Sequence, residues 1–125
     1  MDSKKFLGTS ILIAAILVAV LIAGGCATKT GSYDDLAQCL TAHGVIMYGA
    51  SWCTHCQAQK KMFGPSFEYV TFIDCDKDAA DCNAAGITGY PTWVINGTKY
   101  EGEQNFYTLA KNSGCIENLT GSTAK

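Results

Sequence analysis

The sequence predicts a small α/β domain, and three observations indicate this class. A short apolar, β-type run at residues 45–48 leads directly into a Cys-x-x-Cys motif at residues 53–56, and good helix formers follow. Predicted helices and strands alternate along the chain in the order αβαβαββα. Asn96-Gly97 separates two further β-type runs and is a strong signal for a hairpin turn. A chain of 125 residues has room for one such domain with short appendages.

The first half of the domain is delimited by helix-capping and helix-ending residues. Ser32 or Asp34 can cap a first helix that ends near residue 43. Residues 45–48 then form the predicted central strand. The helix that follows the Cys-x-x-Cys motif is expected to stop at Phe63-Gly64-Pro65, because glycine and proline both terminate helices.

The second half supplies the remaining strands and two helices. Residues 69–74 combine β-branched and aromatic side chains, which predicts a second strand parallel to the first. A short helix is expected at residues 77–85. Residues 92–95 and 98–100 flank the hairpin turn, and residues 106–111 form the predicted closing helix.

The Cys-x-x-Cys motif at a helix start predicts redox chemistry. Unpaired N–H groups and the positive end of the helix dipole stabilise a thiolate at Cys53, and the thiolate is the nucleophile in disulfide exchange. Cys56, one turn later, is placed to attack a mixed disulfide on Cys53 and release the partner. His55 lies between them as a neighbouring donor or partial positive charge, which further favours the Cys53 thiolate and makes the disulfide a better oxidant. A lone Cys-x-x-Cys leaves a zinc site two ligands short, so no metal site is predicted.

A second motif, Tyr90-Pro91-Thr92-Trp93, completes a family pattern. Together with Trp52-Cys53-Thr54-His55-Cys56 it resembles the thioredoxin superfamily, where a cis-proline before a strand faces the active-site disulfide. The resemblance implies a thioredoxin-like fold, with three layers (α/β/α) and a central four-stranded mixed sheet. It also implies a cis peptide at Pro91.

A narrower resemblance is to the small thioredoxin-like domains that are fused to, or work beside, bacterial homologues of vitamin K epoxide reductase. It is carried by Tyr48-Gly49, Trp52 to Cys56, Gln57, Phe63-Gly64, Cys75 and Cys82, and Tyr90 to Trp93. This likeness implies a membrane redox partner of that kind.

Further site residues are predicted around the two cysteines. Trp52, Thr54 and Tyr90 are the predicted substrate contacts, with the Tyr90 backbone pairing with a bound peptide strand. Pro91 is expected beside the disulfide. Many family members bury an acid six residues before the first cysteine, but here that residue is Met47, which argues against a thioredoxin-style reductase cycle.

Seven cysteines in so short a chain indicate an oxidising compartment. Apart from Cys26 and the active pair, four cysteines remain, and four allow three pairings. Cys75 ends a predicted strand and Cys82 lies in the next helix, so a local bridge between them is favoured, which leaves Cys39 with Cys115. Both bridges are read as structural staples. In the alternative reading, Cys75–Cys82 is a relay that exchanges electrons with Cys53–Cys56.

The N-terminus predicts export. Lys4 and Lys5 precede an apolar run at residues 6–23, long enough to span a bilayer, and they orient the rest of the chain outward. Residues 1–26 are therefore a signal anchor or a lipoprotein signal with Cys26 as the lipidation candidate, and a cleaved signal peptide is the third possibility.

The remaining boundaries are a linker at residues 27–32, a thioredoxin-like domain at 33–116 and a flexible tail at 117–125. The expected location is the cell membrane, held by a single N-terminal anchor, with the domain on the extracytoplasmic side, periplasmic or extracellular.

These features predict a membrane-tethered thiol–disulfide oxidoreductase that donates the Cys53–Cys56 disulfide to cysteine-containing exported proteins. A quinone-linked membrane partner resembling vitamin K epoxide reductase would recharge it, and no cofactor is predicted. The alternatives are a reductase or isomerase fed by a transmembrane electron donor, a Cu(I) or Zn(II) carrier module, and a redox-silent adaptor. A net charge of -2 without a basic patch argues against nucleic acid.

Overall fold

Four short strands form one mixed sheet at the centre of the domain. The computed structural model of the protein describes residues 33–120. The strands are β1 (Ile46–Gly49), β2 (Phe72–Asp74), β3 (Thr92–Ile95) and β4 (Thr98–Glu101). Their spatial order is β2-β1-β3-β4; β1 pairs in parallel with β2, whereas the β1–β3 and β3–β4 pairs are antiparallel. The strand that leads into the Cys-x-x-Cys motif is thus an inner strand.

Five α-helices and one 3₁₀-helix surround the sheet in the described part of the chain. They are α1 (Asp34–Ala42), α2 (Thr54–Phe63), the 3₁₀-helix (Gly64–Tyr69), α3 (Ala79–Ala84), α4 (Phe106–Ser113) and α5 (Ile116–Thr120).

The two faces of the sheet bury different residues. Successive side chains of a strand point to opposite faces. Met47 of β1 joins the larger core cluster, to which α1, α2 and α4 contribute Leu36, Phe63 and Leu109. Its neighbour Tyr48 belongs to the second, smaller cluster. The buried members of that cluster are Tyr48, Cys75 and Cys82, and Cys82 is contributed by α3. The α/β architecture is consistent with a thioredoxin-like fold whose outer layers are unequal.

The segment after α2 differs from its prediction. Pro65 was expected only to end a helix, but its fixed φ also suits the first positions of a new one, and the 3₁₀-helix begins there. Because Tyr69 lies in that helix, β2 starts at Phe72 rather than at residue 69. The buried Ser66 hydroxyl accepts a hydrogen bond from the Tyr33 N–H at 3.0 Å and so ties this segment to the start of α1. Asp34, a predicted cap, is instead the first residue of α1.

The predicted tail begins at residue 117, and the structure places residues 116–120 in a helix. Gly114 ends α4 in a left-handed conformation (φ +83°), and α5 follows immediately. The reason is covalent as well as apolar, since Cys115 is bonded to Cys39 of α1 and Leu119 packs against the larger core cluster. The boundary of the ordered domain therefore lies beyond residue 116.

The predicted anchor or lipoprotein signal, Cys26, the linker and residues 121–125 lie outside the described residues. Among the helices of residues 33–120, none has both the length and the apolar character needed to cross a membrane.

Candidate active site

Cys53 occupies the N-cap of α2. Its backbone is extended (φ -71°, ψ 119°), and its sulfur accepts a hydrogen bond from the Cys56 backbone N–H at 3.2 Å. The cap position is the place where a helix has N–H groups without intrahelical partners, so a sulfur there receives both a donor and the positive end of the helix dipole. The N-cap position therefore supplies the Cys53 sulfur with a backbone donor.

Cys56 lies behind Cys53 and is completely buried. Gly49 at the end of β1 makes room for it, because a methyl group at Gly49 would come within 2.7 Å of Cys56 Sγ. Burial raises the pKa of the Cys56 thiol to about 11, and its hydrogen bond to Cys53 acts in the same direction. Both cysteines are free thiols in the structure. The two sulfurs therefore differ in position: Cys53, which is 7% exposed, lies at the helix start, whereas Cys56 is completely enclosed.

A groove of about 410 Å³ opens over Cys53. The groove is lined by two predicted catalytic residues, Cys53 and His55. The three predicted substrate contacts, Trp52, Thr54 and Tyr90, complete the lining. Trp52 is 66% exposed, and its ring meets that of Tyr90 edge-on at 6.1 Å between centroids. Such an exposed aromatic pair beside a reactive sulfur offers an apolar surface to a partner chain. Cys56 is absent from this lining.

The Tyr90–Pro91 peptide is cis, as the family resemblance implies. Tyr90 lines the groove, whereas Pro91 is buried next to it. The Thr92 hydroxyl donates to the Gly89 carbonyl at 2.8 Å and so closes the turn that presents Tyr90.

His55 has a different partner from the predicted one. Its Nδ1 lies 2.7 Å from Glu103 Oε1, and 73% of the side chain is exposed. The N–H donor to the Cys53 sulfur is the Cys56 backbone instead, because the N-cap geometry directs that amide at the sulfur. His55 lines the groove beside Cys53 and is paired with Glu103.

Gln59 is a buried residue of the active-site helix whose hydrogen bonds sequence reasoning missed. It is fully buried, and its Oε1 accepts hydrogen bonds from Trp93 Nε1 (3.2 Å) and the Gln104 N–H (2.6 Å). Its Nε2 donates to the Gln104 carbonyl at 3.1 Å. These bonds fix the loop that carries Glu103 against the active-site helix. No local signal marks this role, since Gln104 lies 45 residues away in sequence.

Met47 occupies the position where many relatives bury an acid. Its side chain is fully buried and belongs to the same core cluster as Cys53 and Cys56. The core cluster that contains Cys56 thus has a thioether at this position in place of a proton-accepting carboxylate.

The other cysteines form two disulfides. Cys39 and Cys115 are bonded at 2.05 Å, and Cys75 and Cys82 at 2.06 Å. Within residues 33–120, one group of potential metal ligands contains three members, Cys39, His43 and Cys115, whose ligand atoms lie within 4.8 Å of one another. Because the two sulfurs are already bonded to each other and His43 Nδ1 contacts the Ser113 carbonyl at 2.5 Å, this group has no free set of ligands for a metal ion.

The chain is similar to known disulfide-exchange proteins. It is 38% identical over 88 residues to thiol-disulfide oxidoreductase LTO1 of Arabidopsis thaliana, covering 63% of this chain and 23% of the relative. It is 31% identical over 81 residues to protein disulfide isomerase-like 2-2 of Oryza sativa subsp. japonica, covering 54% and 22%. A probable protein disulfide-isomerase A6 of Medicago sativa is 28% identical over 85 residues, again covering 54% and 22%.

The chain spans less than a quarter of the length of these relatives. No family model matches the chain. The similarities support membership of the thioredoxin superfamily and a thiol–disulfide oxidoreductase. The redox-silent adaptor and the metal carrier receive no support from them.

Proposed function

We propose that the domain exchanges disulfides with protein thiols through Cys53, with Cys56 as the resolving thiol. One observation carries this assignment: Cys53 lines the open groove at the start of α2, while Cys56 is fully buried behind it. A partner sulfur can therefore approach Cys53, whereas Cys56 is reached from within the domain.

The oxidising half-reaction proceeds in two balanced steps. A substrate thiolate attacks Cys53 Sγ of the Cys53–Cys56 disulfide, a mixed disulfide forms, and Cys56 leaves as a thiolate that takes up a proton. A second substrate thiolate then attacks the substrate sulfur of the mixed disulfide and releases Cys53. The substrate gains one disulfide and the domain holds two thiols. The backbone N–H that Cys56 directs at the Cys53 sulfur stabilises the departing Cys53 thiolate in the second step.

The proposed direction is oxidation of exported proteins by a membrane-tethered form of the chain. A backbone hydrogen bond to the Cys53 sulfur at a helix N-cap supports this direction, because such a donor favours the reduced protein and hence an oxidising disulfide. Two further disulfides suit an oxidising compartment. Lys4 and Lys5 before the apolar run support a tether with the domain on the extracytoplasmic side. A quinone-linked membrane protein that resembles vitamin K epoxide reductase is the proposed source of oxidising equivalents.

An isomerase or reductase fed by a transmembrane donor is the second candidate, because two of the relatives described above carry names of the disulfide isomerase class. The two directions differ in reduction potential. An oxidase or isomerase is expected near roughly -120 to -180 mV, and a thioredoxin-like reductase near roughly -270 mV.

Trapping experiments test the exchange chemistry. Cys56→Ser should accumulate mixed disulfides with a disulfide-containing substrate protein, because the Cys53 thiolate attacks the substrate disulfide, one substrate sulfur leaves as a thiolate, and Cys56 is no longer present to resolve the adduct. Cys53→Ser should accumulate none, since its remaining thiol is buried. Adducts are counted by mass spectrometry after acid quenching. Equal trapping by the two variants would contradict the assignment, and a potential near that of thioredoxin would replace the oxidase by the reductase.

A further inference from the structure

The Cys56 thiolate is a negative charge in the core, and the site described so far provides no positive charge beside it. To attack a mixed disulfide, or to leave the protein disulfide, Cys56 must carry negative charge inside the core. Burial opposes that charge. The family's usual proton acceptor is replaced by Met47, and the Cys56 backbone N–H donates to the Cys53 sulfur. A backbone hydrogen bond at Ala50 favours the Cys56 thiolate, but it supplies no opposite charge.

Lys60 is positioned to supply a positive charge near Cys56. It follows Cys56 by four residues, which sets both side chains on one face of α2. Its ammonium lies over the Phe72 ring at 3.7 Å from the centroid, and at 5.3 Å from the centroid of Phe67. The rings hold the half-buried side chain against the domain instead of letting it extend into water.

The Phe72 ring is itself next to the resolving thiol. A single methyl group at Gly49 would touch both Cys56 Sγ at 2.7 Å and Phe72 Cε2 at 3.1 Å. The sulfur, the ring edge and the lysine cation on the ring face therefore form one continuous cluster.

The geometry points to Lys60 as a positioning residue for the resolving step, whose ammonium stabilises the Cys56 thiolate each time Cys56 attacks or leaves. This inference rests on the proposed disulfide exchange at Cys53. Among the described residues, the charged or titratable groups that act on Cys56 are Cys53, which disfavours its thiolate, and Lys60, which favours it. Asp74, opposite Gly49 on β2, accepts from the Asp76 N–H at 3.1 Å and lies 4.0 Å from Lys77 Nζ.

The role of Lys60 in helix stability provides a matched control. Lys60 and Lys61 both lie in the last turn of α2, where a cation complements the helix dipole. Lys61 is exposed and is not one of the groups that act on Cys56. Lys61→Gln therefore removes an equal charge from the same turn without touching the cluster.

The experiment follows the reaction of the reduced protein with oxidised glutathione by stopped flow. Cys53 first attacks glutathione disulfide, forming a mixed disulfide and releasing one glutathione thiolate. Cys56 then attacks Cys53 Sγ, the protein disulfide forms, the second glutathione leaves as a thiolate, and the Cys56 proton goes to solvent. The first phase depends on glutathione disulfide concentration and the second does not, so the two are separable.

Lys60→Gln and Lys60→Met should slow the second phase at neutral pH on the order of tenfold and leave the first phase unchanged. Lys60→Arg should retain the wild-type second phase, and so should Lys61→Gln. In a Cys53→Ser background, ultraviolet absorbance of the Cys56 thiolate should appear at higher pH when Lys60 is replaced by Gln. Because glutamine keeps an aliphatic stem that can pack over Phe72, this variant tests the charge in a folded domain.

An unchanged second phase and an unchanged thiolate titration in both neutral variants would overturn the role of Lys60. An equal change in Lys61→Gln would overturn it as well, because a general loss of charge would then suffice. A missing first phase in the wild-type protein would instead contradict the proposed exchange at Cys53, so the two failures are distinguishable.

Discussion

Loss of each disulfide should destabilise the domain by an amount set by the loop that it closes. The paired residues are 76 positions apart in Cys39–Cys115 and 7 positions apart in Cys75–Cys82. In the chain-entropy model, these loops correspond to about 4.5 and about 2.4 kcal/mol of unfolding free energy at 25 °C. A domain of about 90 residues has roughly 5–13 kcal/mol in total. The long bridge therefore accounts for a large share of stability, while the short bridge contributes about half as much.

Urea unfolding of two double-alanine variants measures this difference. Cys39→Ala with Cys115→Ala should lower the unfolding free energy about twice as much as Cys75→Ala with Cys82→Ala. Cys53→Ala with Cys56→Ala is the control under mildly reducing conditions that spare the other bridges, because these two sulfurs are free thiols in the structure and no loop is opened. A cost for the short bridge equal to that of the long one would refute the loop-closure reasoning.

The same variants separate a staple from a relay. If Cys75–Cys82 is structural, the folded Cys75/Cys82 variant should still oxidise a dithiol peptide at the wild-type rate. If the folded variant instead exchanges slowly with its membrane oxidant or with its substrate, the short bridge is a relay. The two sulfurs lie in the smaller core cluster, on the opposite face of the sheet from Met47.

Two further predictions concern Cys56. Gly49→Ala should lower the unfolding free energy by about 1–3 kcal/mol, because its methyl group would press on Cys56 Sγ and on the Phe72 ring; Gly89→Ala, where an added methyl meets nothing within 4 Å, is the control. A smaller loss for Gly49→Ala than for Gly89→Ala in urea unfolding would contradict the steric account. The reduced protein should also lose stability as pH rises from about 9 through about 11, since folding raises the pKa of Cys56 from 9.0 to about 11 and the folded state holds that proton more tightly. Unfolding curves of the oxidised protein, which has no Cys56 thiol, should lack this decline, and a decline of equal size in both forms would assign it to another group.

The regular elements of the fold were predictable because local patterns determine them. The hairpin at Asn96-Gly97 follows from its turn chemistry, and the structure gives Asn96 a positive φ of 50° as such a turn requires. β1 is displaced by one residue from the prediction, at Ile46–Gly49. The two missed helices, Gly64–Tyr69 and Ile116–Thr120, are too short to show a helical period. The second follows Cys115, whose disulfide to Cys39 of α1 joins residues 76 positions apart.

The candidate site divides in the same way. Residues 52–56 are consecutive, so the motif alone predicts that Cys53, Cys56 and their neighbours lie together, whereas Tyr90 reaches the groove from a second motif. The His55–Glu103 pair and the Gln59–Gln104 bonds join residues 48 and 45 positions apart. A glutamine in a helix is typical of an exposed position, and only tertiary packing reveals that Gln59 is buried. Such long-range polar contacts have no signature in a single sequence.

The geometry separates the groups that set reactivity from the groups that can select a partner. Cys53 receives its hydrogen bond from a backbone amide. The reactivity of Cys56 depends on its burial, on the space left by Gly49, and on the Lys60 ammonium over the Phe72 ring. The groove over Cys53 is otherwise lined by Trp52, Thr54, His55 and Tyr90. Because the donor to Cys53 is main chain, changes of the groove side chains alter what binds without removing the hydrogen bond that stabilises the nucleophile. Substrate preference and exchange chemistry can consequently vary independently in this domain.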